Sequence, residues 1–352
     1  VSLLFALIIC CVGFFVTLYA ADYLPEASDR RRFFVYLQGF LLAMLGLVLA
    51  DNLLGLFIFW ELTTIISYLL IGFECESETA RRNARQALLI TGGGGLALLI
   101  GFLLLGGLTG TYDLSQLSGQ TDTIKASPAY LAVLLMVFIG SFTKSAQFPF
   151  HFWLPNAMTA PTPISAFLHS ATMVKAGIYL LARMHPILGG TAAWMGTLVI
   201  VGGITALIGS ILAVRASDLK GILAYTTIMA LGVLTMFLGG KTTPALTAAM
   251  TFLMVHSLYK SSLFLAVGSI DHQSGTRIID QLGGLWKPMP VTALATVAAA
   301  LSMAGFPLFF GFIGKEIMYK GALTEEVFPV FATTAAVLAN ALMTAVAGIV
   351  AI

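Results

Sequence analysis

Charged residues are scarce in this sequence, at 10% of 352 residues, and only three cysteines are present. Cys10 and Cys11 are adjacent in an apolar run and Cys75 stands alone, so the spacing argues against a disulfide framework or a metal cluster. The motifs His-Glu-x-x-His and Gly-x-Ser-x-Gly and a phosphate-binding loop are also missing. The glycine run at 91–95 lies in an apolar segment, where small residues let helices approach closely. We therefore predict no catalytic site, no metal, no cofactor and no nucleic-acid partner.

Apolar residues, in contrast, are abundant. They make up 59% of the sequence and give a mean hydropathy of +0.96, which predicts a polytopic all-α membrane protein. We predict one transmembrane domain over 1–352. Both ends of the chain are apolar, so we expect it to be part of a longer protein. The eleven predicted spans are 1–20, 33–50, 53–73, 86–108, 129–157, 163–183, 191–214, 220–240, 246–268, 290–322 and 329–352.

The basic residues predict the orientation of these spans. One side receives most of the arginines, and the positive-inside tendency makes that side cytoplasmic. The other side receives few basic residues and the acidic pair Glu325 and Glu326. The residues on the predicted cytoplasmic side are Arg30, Arg31, Arg32, Arg81, Arg82, Arg85, Arg215, Arg277 and Lys287.

Two spans, 129–157 and 290–322, exceed a membrane thickness and contain interior helix breakers. Pro149, followed by Pro155, interrupts the first, and Pro307 interrupts the second. Non-helical backbone at membrane depth survives only where protein or a water-filled cavity covers it. The broken spans lie five spans apart, an odd number, so equivalent helices would run in opposite directions. This predicts two inverted five-helix repeats, at about 33–183 and 191–352.

Ionisable residues inside the spans are the main functional signal. Each buried charge costs on the order of 2.5–3.5 kcal/mol on insertion scales, so several together require a common explanation. Structural ion pairing would suit one glutamate and one lysine, but four lysines face a single carboxylate here. Desolvated lysines can release their protons, so we predict a proton relay. Its members are Glu61, Lys144, His169, Lys175, His256, Lys260 and Lys315.

Lys220 leaves two alternatives open. It lies at the cytoplasmic start of a span, where Ser217 or Asp218 can serve as the N-cap. Lys220 is then either a surface residue or a relay residue that reaches inward toward the point where protons enter.

Five motifs resemble one known family, the antiporter-like membrane subunits shared by Mrp-type multisubunit cation/proton antiporters and respiratory complex I. The resemblance covers essentially the whole chain. It implies a fold of about fourteen helices with two inverted five-helix repeats and two broken helices. The motifs are Phe59-Trp-Glu-Leu-Thr63, Thr143-Lys-Ser-Ala-Gln-Phe-Pro149, the stretch from Ala160 to Lys175, Asp218-Leu-Lys-Gly-Ile-Leu-Ala-Tyr225, and Met303-Ala-Gly-Phe-Pro307 with Gly314-Lys-Glu316.

The resemblance also implies roles. Glu61 and Lys144 would form the first half-channel, Lys175 would connect it onward, and Lys315 would serve the second half-channel. Lys260 with His256 would be the central relay. His169 falls in a stretch that is also similar to the distal antiporter-like member of complex I.

Within the family, the segment from Asp271 to Gly284 resembles the large A-type chains of Mrp antiporters most closely. The segment Tyr225-Thr-Thr-Ile-Met-Ala230 departs from the usual serine- and glutamine-containing pattern. The resemblance implies one subunit of a sodium/proton antiporter in a prokaryotic plasma membrane, in a hetero-oligomer with other membrane subunits, rather than an enzyme. The alternatives are a redox-driven proton pump of the complex I or hydrogenase kind and a non-conducting scaffold.

Overall fold

The computed structural model describes residues 1–24 and 27–351, and its regular elements there are all helical. Residue 352, the end of the last predicted span, lies outside the described residues. The helices are α1 Ser2–Tyr23, α2 Ala27–Leu49, α3 Leu53–Ile71, α4 Glu78–Thr109, α5 Leu114–Leu117, α6 Thr121–Ala126, α7 Tyr130–Lys144, α8 Trp153–Asn156, α9 Thr162–Ser170, α10 Ala176–Leu188, α11 Ala192–Arg215, α12 Leu219–Gly239, α13 Thr243–Ser274, α14 Pro290–Ala304, α15 Phe310–Leu323 and α16 Pro329–Ala351.

Eleven passes of the chain follow from these helices, as predicted. Within the described residues, nine stretches are long and apolar enough to span a membrane, and α9 and α10 together form one of them. Two more passes complete the eleven. One begins with the shorter apolar helix α7, and the other consists of α14 and α15. The all-α membrane architecture is therefore confirmed. The boundaries of the two repeats stay a prediction.

The first interruption differs in detail from its prediction. Helix α7 already ends at Lys144, and Ala146 then adopts a positive φ of 47° that turns the chain. Pro149 lies after this turn, so it keeps the segment non-helical but does not end α7. Pro155 lies within the single-turn helix α8, where no intrahelical N–H bond is required of it. The prediction that Pro155 interrupts a helix again within this span was wrong.

The second interruption separates α14 from α15 between Ala304 and Phe310. Gly305 follows α14 in the left-handed region, with φ of 76°, which glycine adopts without steric cost. Pro307 lies within this interruption, as predicted.

A third interruption was not predicted. The span predicted at 163–183 is two helices, because α9 ends at Ser170 and α10 begins at Ala176. Thr172 has φ of −125° and ψ of −98°, outside the helical region. No proline or glycine lies between the two helices, so the sequence carries no local breaker signal here.

The centre of the bundle is formed by α9, α10 and α12, which are buried along almost their whole length. The outer helices bury only part of their surface and expose many large apolar side chains. This pattern fits a membrane protein, in which lipid covers the outer apolar surface while protein encloses the polar interior.

Candidate functional site: a buried row of ionisable residues

Lys144, the last residue of α7, is fully buried and points at one turn of α3. Its Nζ donates to Thr63 Oγ1 at 2.8 Å, to Thr64 Oγ1 at 2.7 Å and to the Trp60 carbonyl at 3.2 Å. The same ammonium lies 5.2 Å from the Trp60 ring centroid, within range of a cation–π contact. Lys144 is therefore held entirely by neutral groups.

Glu61 lies on the same turn of α3 and is half-buried. Its Oε1 is buried and has no hydrogen-bond partner among the described residues. The ion pairs of the described chain do not include Glu61 with Lys144, so the carboxylate is near the ammonium without contacting it. The interaction between these two residues is thus through space.

The glycine run of α4 makes room for this pair. A Cβ on Gly95 would overlap Glu61 Oε1, and a Cβ on Gly94 would overlap the side chain of Thr143, next to Lys144. The prediction of close helix approach at 91–95 therefore holds, and the glycines also admit a carboxylate into the interface.

Gly95→Ala is expected to displace the Glu61 carboxylate. For the relay predicted from the sequence, this should slow proton movement by about 10- to 100-fold, because relay groups must keep their relative positions. The atoms that the new methyl group would strike first belong to the end of a flexible side chain, so the protein should still assemble. The measurement is proton flux through the assembled complex in vesicles. Gly93→Ala is the control, since a Cβ there meets nothing within 4 Å. Equal losses in the two variants would contradict this role of Gly95.

Lys175 is the last residue of the third interruption and is fully buried. Its Nζ donates to the Ser170 carbonyl at the end of α9 and to Ser257 Oγ of α13. Ser145 donates to the Val174 carbonyl at 2.7 Å. Ser145 follows Lys144 and Val174 precedes Lys175, so this hydrogen bond holds the two lysine-bearing segments together. The interruption is what frees the Ser170 carbonyl for Lys175.

His256 and Lys260 lie one turn apart on α13 and are both fully buried. Lys260 Nζ donates to Thr226 Oγ1 of α12 and lies 5.6 Å from the Phe264 ring centroid. Both ring nitrogens of His256 lack a hydrogen-bond partner among the described residues. Thr226 belongs to the segment that departs from the family pattern, yet it supplies the hydroxyl that binds Lys260.

His169 is fully buried at the end of α9, between the Trp153 and Phe264 rings, each with its centroid at 6.5 Å. Neither of its ring nitrogens has a partner among the described residues. The charges of Lys220 and Lys260 both act on its imidazole. His169 therefore lies within electrostatic range of both Lys220 and Lys260.

Lys220 is only 2% exposed, so the alternative of a surface residue is wrong, and its role in the relay stays a prediction. Its Nζ donates to the Ala160 carbonyl at 3.0 Å. Asp218, not Ser217, caps α12 by accepting from the Gly221 N–H at 2.9 Å.

Beside Lys220 lies an open cavity of about 360 Å³, on the side of the bundle that is predicted to be cytoplasmic. Its lining includes Glu74, Asp271 and Arg277 as well as Lys220 itself. A polar cavity of this size holds several water molecules. Lys220 is thus a buried ionisable group that borders this cavity.

Lys315 lies apart from these residues, in α15 beyond the second interruption, and it is partly exposed. Its Nζ donates to the Ala304 carbonyl at 2.7 Å and to Thr344 Oγ1 of α16 at 3.1 Å. Ala304 is the last residue of α14, where the helix dipole favours a cation.

The hydroxyl groups that hold the lysines were not singled out from the sequence. They are Thr63, Thr64, Thr226, Ser257 and Thr344. Their only sequence signal is a serine or threonine in an apolar span, which occurs at many other positions too. Among the described residues, no group of three or more His, Cys, Asp or Glu residues has a geometry that could hold a metal ion.

Comparison with known proteins gives one family. The profile described as "NADH:quinone oxidoreductase/Mrp antiporter, TM" matches residues 50–340. The A-type chain of a Na(+)/H(+) antiporter from Alkalihalophilus pseudofirmus is 46% identical over 337 residues, covering 92% of this chain and 42% of the relative. The A/B chain of a probable K(+)/H(+) antiporter from Rhizobium meliloti is 48% identical over 320 residues, covering 91% of this chain and 32% of the relative. The chain therefore spans less than half the length of these relatives.

Solved structures agree with this result. A chain of the Mrp complex from Dietzia sp. DQ12-45-1b superposes with a TM-score of 0.93 at 40% identity, covering 99% of this chain and 38% of that one. A chain of an archaeal membrane-bound sulfane sulfur reductase superposes with a TM-score of 0.90, covering 99% of this chain and 72% of that one. At 24% identity, the second likeness concerns the fold alone.

Proposed function

Because this chain belongs to the NADH:quinone oxidoreductase/Mrp antiporter transmembrane family, we propose that it is the proton-conducting part of one subunit of a multisubunit cation/proton antiporter. The exchanged ion is a monovalent cation, with sodium as the first candidate because relatives carry that name. The partners are other membrane subunits in a bacterial cell membrane. The driving force is an ion gradient, and no covalent chemistry is involved.

One observation carries this proposal: four lysines inside the bundle are held by hydroxyls and not by carboxylates. Lys144, Lys175, Lys260 and Lys315 each donate to a serine or threonine hydroxyl, and none of them belongs to an ion pair within the described residues. A hydroxyl oxygen accepts a hydrogen bond from an ammonium, and it can still accept one from the remaining N–H groups of a neutral amine. Each lysine therefore has a partner in both protonation states, whereas a carboxylate would fix it as a cation.

The order of the residues supports a route. A proton enters from the cytoplasmic cavity at Lys220, passes His169 and reaches Lys260 at the centre. From there the row continues on one side through Lys175 to Lys144 and Glu61. A change of charge on one member alters its neighbours, since electrostatic interactions are strong in the low dielectric of the bundle interior.

Unpaired polar atoms support the same route. The ring nitrogens of His169 and His256 and the hydroxyl of Ser141 are buried without partners in the described protein. Leaving such a group unsatisfied costs about 1–3 kcal/mol, and internal water is the usual partner of buried polar groups. We propose that water bridges these positions and carries protons between side chains too far apart for direct transfer.

The experiment that tests the proposal is sodium-dependent proton movement in inverted vesicles. The vesicles come from cells without other antiporters and contain the full-length complex, with a pH-sensitive dye quenched by an imposed proton gradient. Sodium should dequench the dye for the wild type, and Glu61→Ala should reduce this response by about 100-fold. Assembly should persist, since the variant removes an acceptor that has no donor.

Glu76→Ala is the matched control, because Glu76 is exposed on the cytoplasmic loop. Wild-type transport in the Glu61→Ala complex would overturn the relay. Proton movement driven by a reductant without sodium would favour the redox-driven pump. Loss of assembly together with transport would favour the scaffold.

A further inference from the structure

Glu325 is a buried carboxylate at the outer end of the bundle, in the connection between α15 and α16. Its residue exposure is 5%. The backbone N–H groups of Glu326 and Val327 donate to the carboxylate, while Oε2 has no partner among the described residues. Burial raises the pKa of Glu325 above its ordinary value, and these two N–H groups oppose that shift. Glu325 can therefore bind and release a proton nearer to neutral pH than an exposed glutamate.

The charges around Glu325 do not neutralise it. Lys241 pairs instead with Glu326, at 3.2 Å. An ideal Cβ on Gly240 would lie 2.6 Å from Glu325 Oε2, so only a glycine leaves this oxygen its space. His185 of α10 approaches the same glycine, with Nε2 at 3.0 Å from the Gly240 carbonyl oxygen, and the charge of Lys125 acts on His185.

Polar side chains lie at intervals between Lys315 and Glu325 along the contact between α15 and α16. Lys315 binds Thr344 Oγ1 at 3.1 Å, and Thr344 in turn donates to the Asn340 carbonyl at 3.0 Å. Asn340 is 1% exposed, and its Oδ1 has no partner among the described residues. Thr333 donates to the Ala322 carbonyl at 3.1 Å. We call this line, from Lys315 through Thr344, Asn340 and Thr333 to Glu325, the α15–α16 seam.

The spacing of these residues is that of two antiparallel helices. Positions 315, 318 and 322 recur every three or four residues, which places them along one face of α15, and Glu325 follows two residues after this helix ends at Leu323. On α16, positions 344, 340 and 333 recur by four and seven residues in the opposite direction. At about 1.5 Å per residue, the seam is roughly 15 Å long, which is half the thickness of a bilayer core.

We propose, resting on the function proposed above, that the α15–α16 seam is the outward limb of the proton path, with Glu325 as the group that exchanges protons with external water. Asn340 lies in the middle of the seam. Its amide oxygen has no donor among the described residues, so it can accept a hydrogen bond from a bridging water. Lys315, next to the second interruption, passes protons to the seam. Glu325 faces the external side because its loop lies one pass away from the cytoplasmic loop that contains Arg277 and Lys287.

A purely structural role predicts a different behaviour. If Glu325 only orders its loop, glutamine should replace it, because its amide oxygen still accepts from the two backbone N–H groups. Glutamine cannot take up and release a proton. Glu325→Gln therefore separates the two roles, and Glu326→Gln, at an exposed residue, is the matched control.

The test uses the full-length complex in vesicles and records sodium-driven proton flux while the pH at the outer face is varied. We expect Glu325→Gln to lower the flux by about tenfold or more and to remove the part of the pH profile that lies above the pKa of an ordinary glutamate. Glu325→Asp should retain a titrating profile. Glu326→Gln should match the wild type.

The outcomes are distinguishable. No sodium-driven flux in the wild type would refute the proposed function itself. Wild-type flux with an unchanged external pH profile in Glu325→Gln would overturn the outward limb alone. If Glu325→Gln does not assemble, Asn340→Leu makes the same test within the seam, where an undiminished flux would overturn the proposal.

Discussion

Lys144→Met is expected to abolish sodium-driven proton movement while leaving the complex assembled. Methionine has nearly the volume of the lysine side chain and no proton to exchange. We expect the flux to fall by about 100-fold or more, the scale of losing one acid–base group. This is the largest functional effect that we predict.

The surroundings of Lys144 explain why stability should survive. Thr63 Oγ1 and Thr64 Oγ1 also donate to the Trp60 carbonyl, at 2.7 and 3.1 Å, so both hydroxyl hydrogens keep a partner after the substitution. No carboxylate within the described residues forms an ion pair with Lys144. Replacing this lysine therefore breaks no ion pair there and leaves no carboxylate that had been in contact with its ammonium. Methionine at position 144 removes the desolvation cost of a buried ammonium without breaking an ion pair within the described residues. We expect a change in unfolding free energy within about 1 kcal/mol of zero.

The measurement combines dye-based flux in vesicles with the amount and thermal stability of the purified complex. Lys287→Met is the control, because Lys287 is exposed. Arginine at position 144 would keep the charge but cannot release a proton, so Lys144→Arg should also be inactive. Full flux in Lys144→Met would refute a proton-carrying role for this lysine.

Gly232→Val is expected to have the largest effect on stability. Helices α11 and α12 meet with their backbones almost in contact at Gly202 and Gly232. An ideal Cβ on Gly232 would lie 2.6 Å from the Gly202 carbonyl oxygen and even closer to the Ala206 amide nitrogen. Backbone atoms cannot move aside as a side chain can, so the helices must separate. We expect a loss of about 3 kcal/mol or more, at or beyond the upper end of ordinary overpacking.

The amount of assembled complex and its unfolding temperature are the readouts. Gly107→Val serves as the control, since a Cβ on Gly107 meets nothing within 4 Å. The tight α11–α12 contact also places Thr226, the partner of Lys260, so any surviving Gly232→Val complex should transport poorly. Normal yield and stability of Gly232→Val would show that the two helices separate at little cost.

Much of this protein follows from local sequence signals. Long apolar stretches fixed the number of spans, because about twenty apolar residues cross a bilayer as a helix. Pro149 and Pro307 marked two interruptions, and the scarcity of charge made Glu61, Lys144 and Lys260 conspicuous. The site was found this way because an ionisable group inside a span is costly and rarely retained without a role.

Other features had no local signal. The third interruption, at Thr172, contains neither proline nor glycine, and α7 ends at Lys144 before its prolines are reached. Packing against neighbouring helices holds these backbones, with Ser145 bonded to Val174 and Lys175 bonded to Ser170. The burial of Lys220 could not be predicted from local sequence either, because a lysine at the start of a helix is exposed or buried according to which other segments cover it.

The sequence by itself thus determined a membrane-spanning helical chain, two interrupted helices and a set of buried ionisable residues, and it predicts the orientation. These follow from the cost of placing polar groups in lipid, which depends on residue type and position along the chain. Only the tertiary structure decided which groups meet: hydroxyls with lysines, Glu61 beside the α4 glycines, and Glu325 at the end of the α15–α16 seam. Those contacts join residues far apart in the chain, and helix packing, rather than local spacing, brings them together.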